Sequence, residues 1–181
     1  MNKIIAIVGM CGSGKSVATD ILEKEFNYKK VYFGGVTLNK LKEANLEINP
    51  ENEKTMREGL RKELGMGAFA KILLPDIKEF ATHNNVVLDG LYSWDEYKIL
   101  YDEFKENLIM ICIVSDKNIR YNRVAVREIR PLNKEQVIAR DIAEIENSAK
   151  GGPICFADYY ILNNSSIEDY RARLLDILNN I

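Results

Sequence analysis

The chain has 181 residues, of which 46% are hydrophobic and 29% are charged, a balance that predicts one globular domain, residues 1–181, with a substantial core. Its 25 Lys and Arg side chains against 27 Asp and Glu give a formal net charge of −2, which argues against nucleic acid as the main partner. We expect a cytoplasmic protein, because no run of ~18 apolar residues predicts a membrane span, no signal peptide precedes the first strand, and three scattered cysteines fit a reducing compartment.

Short apolar runs alternate with amphipathic segments along the chain. Strands are predicted at residues 3–8, 30–33, 86–89, 108–114 and 159–162. Helices are predicted at residues 17–26, 36–44, 50–64, 68–81, 92–104, 116–128, 134–149 and 167–178, with Pro75 as a kink or break and a turn at 151–153. Because the strands are continuous apolar runs, the pattern predicts an α/β fold, a three-layer sandwich around a central five-stranded parallel sheet.

One segment departs from the alternation of strand and helix. Residues 36–81 contain three helical pieces between two predicted strands, and Asn49 followed by Pro50 marks the start of the second. An insertion at the carboxyl edge of a parallel sheet lies where a second ligand can bind. We therefore expect a helical acceptor-binding insertion here.

Residues 9–16 read Gly-Met-Cys-Gly-Ser-Gly-Lys-Ser and fit the phosphate-binding pattern G-x-x-x-x-G-K-[ST], the P-loop. The glycines let successive N–H groups converge on one anion, and the following helix directs its positive end at the same place. Lys15 is expected on the β- and γ-phosphates, and the Ser16 hydroxyl on Mg²⁺. The alternative is a glycine-rich turn that binds nothing. The expected ATP-binding residues of this segment are Gly9, Gly12, Ser13, Gly14, Lys15, Ser16 and Val17.

Asp89 ends a buried predicted strand, at the edge of the sheet where the P-loop phosphates are expected. A carboxylate there can hold Mg²⁺ directly or through water, so Ser16 and Asp89 are the candidate metal ligands. The alternative is a helix cap or a turn residue in Asp89-Gly90.

Arginines at positions 120, 123, 127 and 130 recur at spacings of three and four, which predicts a stripe along one helix face. Four positive charges along one face repel each other unless an anion lies beside them. Arg binds phosphate through two parallel hydrogen bonds. We expect Arg127 to clamp phosphate, with Arg120 and Arg140 as further candidates. The alternative is a solvated face balanced by neighbouring acids.

Arg57 and Arg61 lie one helical turn apart in the inserted helices. At that spacing both side chains can grip a phosphate group of an acceptor. The alternative, to which we give the same weight, is that Arg57 and Arg61 lie on an exposed helix face and pair with nearby glutamates.

These residues resemble the P-loop kinases of small metabolites, the adenylate-kinase-like group, and within it proteins described as dephospho-coenzyme A kinase-like or related to archaeal nucleotide kinases. The resemblance covers nearly the whole chain, and its matching segments are residues 4–16, 33–36, 60–66, 86–90 and 157–164. Residues 34–36 lack the acid or arginine that often follows the second strand, so the resemblance implies the donor site more than the acceptor site.

In these kinases an R-x-x-x-R pair opens a mobile lid. The resemblance implies that Arg123 lies against the adenine of ATP and that Arg127 contacts phosphate. It implies a short lid at about residues 127–140 that includes Arg130 and Arg140, and it places Asn163 and Asn164 near the adenine.

Two hypotheses follow. The first is a monomeric or homodimeric phosphotransferase that moves the γ-phosphate of MgATP to a nucleoside monophosphate or dephospho-coenzyme A. Its catalytic residues are Lys15, Asp89, Arg127 and Arg130, and its acceptor residues are Arg57, Arg61 and Arg140. The second is an ATP-hydrolysing switch or regulatory protein without a small acceptor. The arginines and the inserted helices favour the first.

Overall fold

The computed structural model describes residues 2–181 and contains five strands and nine α-helices in that range. The strands are β1 (Ile4–Val8), β2 (Lys29–Tyr32), β3 (Val86–Asp89), β4 (Leu108–Val114) and β5 (Tyr159–Leu162). The helices are α1 (Lys15–Phe26), α2 (Gly34–Glu43), α3 (Pro50–Leu64), α4 (Ala68–Ala81), α5 (Trp94–Phe104), α6 (Lys117–Val126), α7 (Lys134–Glu146), α8 (Gly151–Cys155) and α9 (Ile167–Asn179). A short 3-10 helix, Lys105–Asn107, precedes β4.

The five strands form one sheet in the order β2-β3-β1-β4-β5, and every neighbouring pair is parallel. The predicted α/β class and five-stranded parallel sheet are therefore confirmed. The chain builds the β2 and β3 side of β1 first and then crosses to the β4 side. The crevice beside the carboxyl end of β1 is thus the place where ligands bind in such sheets.

Both faces of the sheet are buried. Alternate residues of β1 point to opposite sides: Ile4 and Ala6 pack with α2 to α5, whereas Ile5 and Ile7 pack with α1 and α9. This two-sided burial explains why the strands read as continuous apolar runs. Within residues 2–181, no helix is long and apolar enough to cross a membrane.

Several predicted boundaries were wrong. Helix α4 runs through Pro75 without a break, and α6 ends at Val126 rather than 128. Helix α7 ends at Glu146, and the predicted turn at 151–153 belongs to α8. The Asn49 cap is confirmed, since its side chain accepts a hydrogen bond of 2.9 Å from the Asn52 N–H.

Candidate functional site

The P-loop joins β1 to α1 at the carboxyl edge of the sheet. Gly12 and Gly14 have φ values of 78° and 101°, in the left-handed region that disfavours other residues. A Cβ atom at Gly12 would also lie 2.6 Å from the Arg120 carbonyl oxygen. Both glycines are therefore required by the loop's path. Gly9, at the start of the loop, is buried.

Three carbonyl groups of this loop accept hydrogen bonds from outside it. Arg120 Nη1 donates to Cys11 O at 2.8 Å, Asn163 Nδ2 to Ser13 O at 2.8 Å, and Tyr170 Oη to Gly14 O at 3.0 Å. Because C=O and N–H point in opposite directions across a planar trans peptide, these bonds direct the next N–H groups toward the loop interior. The arrangement prepares an anion-binding nest.

Lys15 and Ser13 bring polar groups to the same loop. Lys15 Nζ donates to Met10 O at 2.9 Å, and burial followed by the charge of Lys150 lowers the pKa of Lys15 to about 8. The Ser13 side chain is 1% exposed, and its hydroxyl has no hydrogen-bond partner among the described residues. A buried hydroxyl without a partner is costly unless a ligand completes it, so the loop fits a phosphate group.

At the N-terminus of α1, Ser16 is exposed and Val17 donates its N–H to Gly14 O at 3.2 Å. The Thr19 hydroxyl, one turn later, lies 3.0 Å from Ser16 O and 3.3 Å from Asp89 Oδ2. Thr19 therefore links the two predicted metal ligands, Ser16 and Asp89. Sequence reasoning missed it, because its partner is 70 residues away.

Asp89 is 6% exposed, and β3 places it beside Ile7 of β1, two residues before the P-loop. Its Oδ2 also lies 3.6 Å from Lys30 Nζ. Within residues 2–181, no group of three or more His, Cys, Asp and Glu side chains is arranged to hold a metal. Hydroxyl and carboxylate oxygens are suitable ligands for a Mg²⁺ ion that takes its other ligands from phosphate and water, and this role of Ser16 and Asp89 stays a prediction.

The predicted arginine stripe was wrong as a helix face, because α6 ends at Val126 and Arg127 is extended, with φ −68° and ψ 143°. Arg120 is 7% exposed, and its guanidinium group is occupied by protein partners: it pairs with Asp141 at 2.7 Å and 3.3 Å. It supports the P-loop rather than clamping phosphate. The physical reason is that Asp141 on α7 supplies the carboxylate that the helix α6 itself lacks.

Arg123 and the two asparagines after β5 lie together. Arg123 Nη1 donates to Asn163 O at 3.0 Å and to Ser115 Oγ at 3.2 Å. Asn164 Oδ1 accepts from the Asp116 N–H at 2.9 Å. The structure therefore gives these residues a bracing role at the start of α6, and their proximity to adenine stays a prediction.

The predicted lid, at about residues 127–140, contacts the inserted helix α3 through Arg130. Arg127 Nε donates to Arg130 O at 2.6 Å, and Arg127 Nη2 is buried without a partner among the described residues. Arg130 has a φ of 55° and pairs with Glu53 of α3 at 2.7 Å. The predicted lid and the insertion thus meet at the Arg130–Glu53 ion pair.

Two of the three predicted acceptor arginines are paired with glutamates. Arg57 pairs with Glu53 at 3.4 Å, and Arg140 Nε donates to Glu144 at 3.1 Å. Arg61 lies with its guanidinium 5.5 Å from the centre of the Phe69 ring, and its Nε is buried without a partner among the described residues. Burial lowers the pKa of Arg57; Glu53 opposes this shift, and the charges of Arg140 and Arg61 add to it.

Sequence reasoning missed Lys150. Its side chain is 1% exposed, its ammonium group is 2.5 Å from Glu144 Oε2, and it lies 4.5 Å from the centre of the Tyr92 ring. Burial works against ionisation of Glu144, but Lys150 and Arg140 outweigh it and hold the pKa of Glu144 at about 2. The Arg140–Glu144 spacing of one turn was a readable signal. Lys150 had none, since a turn at Ala149, with φ 49°, places it.

Glu96 on α5 is a second buried acid, within electrostatic reach of Arg61 and Lys150. It is 0% exposed, and its Oε2 accepts from the N–H groups of Tyr92 at 2.8 Å and Ser93 at 3.0 Å. Its Oε1 is buried without a partner among the described residues. Burial raises the pKa of Glu96 to about 7, against these two hydrogen bonds and the charges of Arg61 and Lys150.

Comparison with known proteins gives similarities over most of the chain. A family model described as "AAA domain" matches residues 5–145. The UPF0200 protein of Thermococcus sibiricus is 32% identical over 175 residues, which are 94% of this chain and 91% of that protein.

Two solved structures share the fold over nearly their whole length. TT1252 from Thermus thermophilus has a TM-score of 0.65 and 18% identity, covering 99% of this chain and 98% of its own. Shikimate kinase from Bacteroides thetaiotaomicron has a TM-score of 0.61 and 12% identity, covering 98% and 97%. At such identities the likeness concerns the fold, and function has to be argued from the site.

Proposed function

This chain belongs to the AAA-domain family and to the UPF0200 family, and on that premise we propose that it is an ATP-dependent phosphotransferase that moves the γ-phosphate of MgATP to a small nucleotide-like acceptor. The P-loop supplies the donor site and the inserted helices supply the acceptor site. The shared fold with a shikimate kinase is compatible with this assignment.

The observation that carries the proposal is a series of charged side chains from the P-loop to the inserted helices, joined by two direct contacts at Glu144 and by electrostatic interaction at each end. Lys15 lies within electrostatic reach of Lys150 and Glu144, and Glu144 bonds both Lys150 and Arg140. Arg140 in turn acts on the charge of Arg57. A protein that only hydrolyses ATP needs no cations on the far side of the γ-phosphate. A phosphotransferase must bind a second anion, the acceptor, on that side.

The proposed roles follow from position. Lys15 and the loop N–H groups bind the β- and γ-phosphates of ATP, and Ser16 and Asp89 hold Mg²⁺, which neutralises charge on the phosphate oxygens. Arg127 and Arg130 belong to the lid, which closes over the transferring phosphate and excludes water. Arg61, with its unpartnered Nε, and Arg57 bind the anionic group of the acceptor.

The surroundings of Asp89 favour a phosphate acceptor over a hydroxyl acceptor. A hydroxyl acceptor needs a base, and Asp89 Oδ2 is already engaged by Thr19 and near Lys30. Burial raises the pKa of Tyr92 far above its usual value, so its phenol stays protonated and offers no base either. A nucleoside monophosphate carries an ionised phosphate oxygen that needs none, and it is therefore favoured over dephospho-coenzyme A.

ADP formation from MgATP tests the proposal against each nucleoside and deoxynucleoside monophosphate, dephospho-coenzyme A, common nucleosides and no acceptor. We expect strong stimulation by one monophosphate, with the phosphorylated product identified by mass spectrometry. The Lys15→Ala variant, purified identically, controls for contaminating kinases. Slow hydrolysis that no acceptor changes would refute the proposal in favour of the ATP-hydrolysing switch.

A further inference from the structure

Lys150 is a buried cation directly before α8. Its side chain is 1% exposed, and the contacts found for its ammonium group are the Glu144 carboxylate and the face of the Tyr92 ring. Lysine is almost never fully buried unless it is paired, and burying an ion pair brings little net stability. The stability of the fold is therefore a weak reason for a lysine at this position, and a role in binding or catalysis is a better one.

The neighbourhood of Lys150 is positive in sum. Glu144 is one carboxylate shared by Lys150 and Arg140, at 2.5 Å and 3.1 Å. Gly151, the next residue, lines the same cavity of about 460 Å³ as Met10, whose carbonyl oxygen accepts from Lys15. Lys15 of the P-loop lies within electrostatic reach of Lys150 and Glu144, and Asp89 is the other acid that acts on it. Three cations thus share two acids, and a further anion would relieve their mutual repulsion.

We propose that Lys150 is a catalytic residue whose ammonium group leaves Glu144 and contacts the γ-phosphate when a nucleoside triphosphate binds. Before the triphosphate binds, the Glu144 carboxylate takes the place of that phosphate, because it offers Lys150 and Arg140 the same kind of oxygen acceptor. This inference rests on the proposed function. In the transfer, an acceptor oxygen forms a bond to phosphorus, the bond to the bridging β,γ-oxygen breaks, and ADP leaves with the electron pair. Lys150 stabilises the charge on the moving group and transfers no proton.

Trp94, the single tryptophan of the chain, provides an optical signal for this change. It packs on α8: a Cβ atom at Gly152 would lie 3.0 Å from its side chain, and the Phe156 ring centre is 5.3 Å from its own. Lys150 directly precedes α8, so movement of its side chain and turn changes the surroundings of the indole. We therefore expect a change in Trp94 fluorescence on triphosphate binding, and this change should depend on Lys150.

The test compares binding of ADP and of a non-hydrolysable ATP analogue, both with Mg²⁺, by calorimetry and Trp94 fluorescence. In Lys150→Met we expect roughly 10- to 100-fold weaker binding of the analogue with ADP affinity little changed, as for loss of one charged contact. Lys150→Arg keeps the charge and should recover part of the difference. Lys24→Met, an exposed lysine on α1, is the matched control and should bind both like the wild type.

Glu144→Gln gives a result of opposite sign. Removing the competing carboxylate charge should tighten binding of the ATP analogue while lowering the melting temperature, whereas a merely structural pair would weaken binding in both variants. This variant also serves if Lys150→Met fails to fold. Equal losses for ADP and analogue in Lys150→Met, or weaker analogue binding in Glu144→Gln, would overturn the proposal.

These binding measurements need no acceptor, so they separate the two proposals. Selective loss of analogue binding in Lys150→Met supports the Lys150 contact even if no acceptor stimulates turnover and the phosphotransferase proposal fails. If an acceptor is found and Lys150→Met turns over like the wild type, the Lys150 proposal alone is refuted. The expected loss in kcat is about 100-fold or more, with the KM of the acceptor nearly unchanged.

Discussion

Replacing Arg120 by Met tests whether this arginine supports the fold or binds phosphate. The side chains of Arg120 and Asp141 are only 9% and 11% exposed, and two hydrogen bonds of 2.7 Å and 3.3 Å join them. Removing one partner of a buried pair leaves an uncompensated charge and costs about 3–5 kcal/mol. At roughly 2–4 °C per kcal/mol for a chain of this size, the melting temperature of Arg120→Met should fall by about 6–20 °C.

The matched control is the double variant Arg120→Met with Asp141→Leu. Replacing both charges by apolar groups removes the buried unpaired carboxylate, so most of the lost stability should return. A deficit of about 1 kcal/mol should remain, because Cys11 O has lost its donor.

Calorimetry and urea denaturation measure both variants. The reasoning is refuted if Arg120→Met is as stable as the wild type and loses only ATP affinity, which is the result that a phosphate clamp predicts. A double variant no more stable than the single one would also contradict it.

Three further changes probe the P-loop, the acceptor site and the buried acid of α5. Lys15→Ala should lower turnover at least about 100-fold with the melting temperature unchanged, and wild-type turnover would exclude the P-loop mechanism. Arg61→Ala should raise the KM of the acceptor roughly 10- to 100-fold while sparing ATP affinity, because the acceptor loses a charged contact with the unpartnered Arg61 Nε. Arg57→Ala should have a smaller effect, because Arg57 is already paired with Glu53. Weaker ATP binding in either variant would show that these arginines belong to the donor site. Glu96 holds its proton more tightly in the folded state, with a pKa of about 7 against 4.5, so wild-type stability should fall by about 3 kcal/mol as pH rises from 4.5 to 7. Glu96→Gln retains the hydrogen-bond acceptor and should abolish that loss in urea titrations at several pH values. The same dependence of the unfolding free energy on pH in the wild type and in Glu96→Gln would contradict this prediction.

The sequence was sufficient for the parts of the fold that depend on local pattern. The apolar run of β1, the glycines of the P-loop and the start of α1 lie within one continuous segment, and their backbone requirements are met by residues a few positions apart. The same holds for the strand that ends at Asp89 and for the Asn49 cap. Boundaries were less certain, as the helical stretch Gly151–Cys155 shows, because Gly and Pro are compatible with both a turn and a helix start.

The roles of the charged residues depended on tertiary structure. Periodicity placed Arg120 and Arg127 on one stripe, but it carries no information on the carboxylates that face them. Asp141 lies 21 residues from Arg120, and Cys11 lies 109 residues away. For the same reason, Lys150 could not be recognised from the sequence, since a turn after α7 brings it to Glu144 and Tyr92.

The sequence by itself determined where phosphate can bind, because a P-loop is a property of consecutive backbone groups. Only the tertiary structure decided which cations remain available to that phosphate. Arg120 is paired with a distant acid, Asp141, in a buried place, whereas the buried Lys150 has Glu144 and the Tyr92 ring as neighbours. That choice follows from the packing of α6, α7 and α8 around the loop, and no single stretch of residues encodes it.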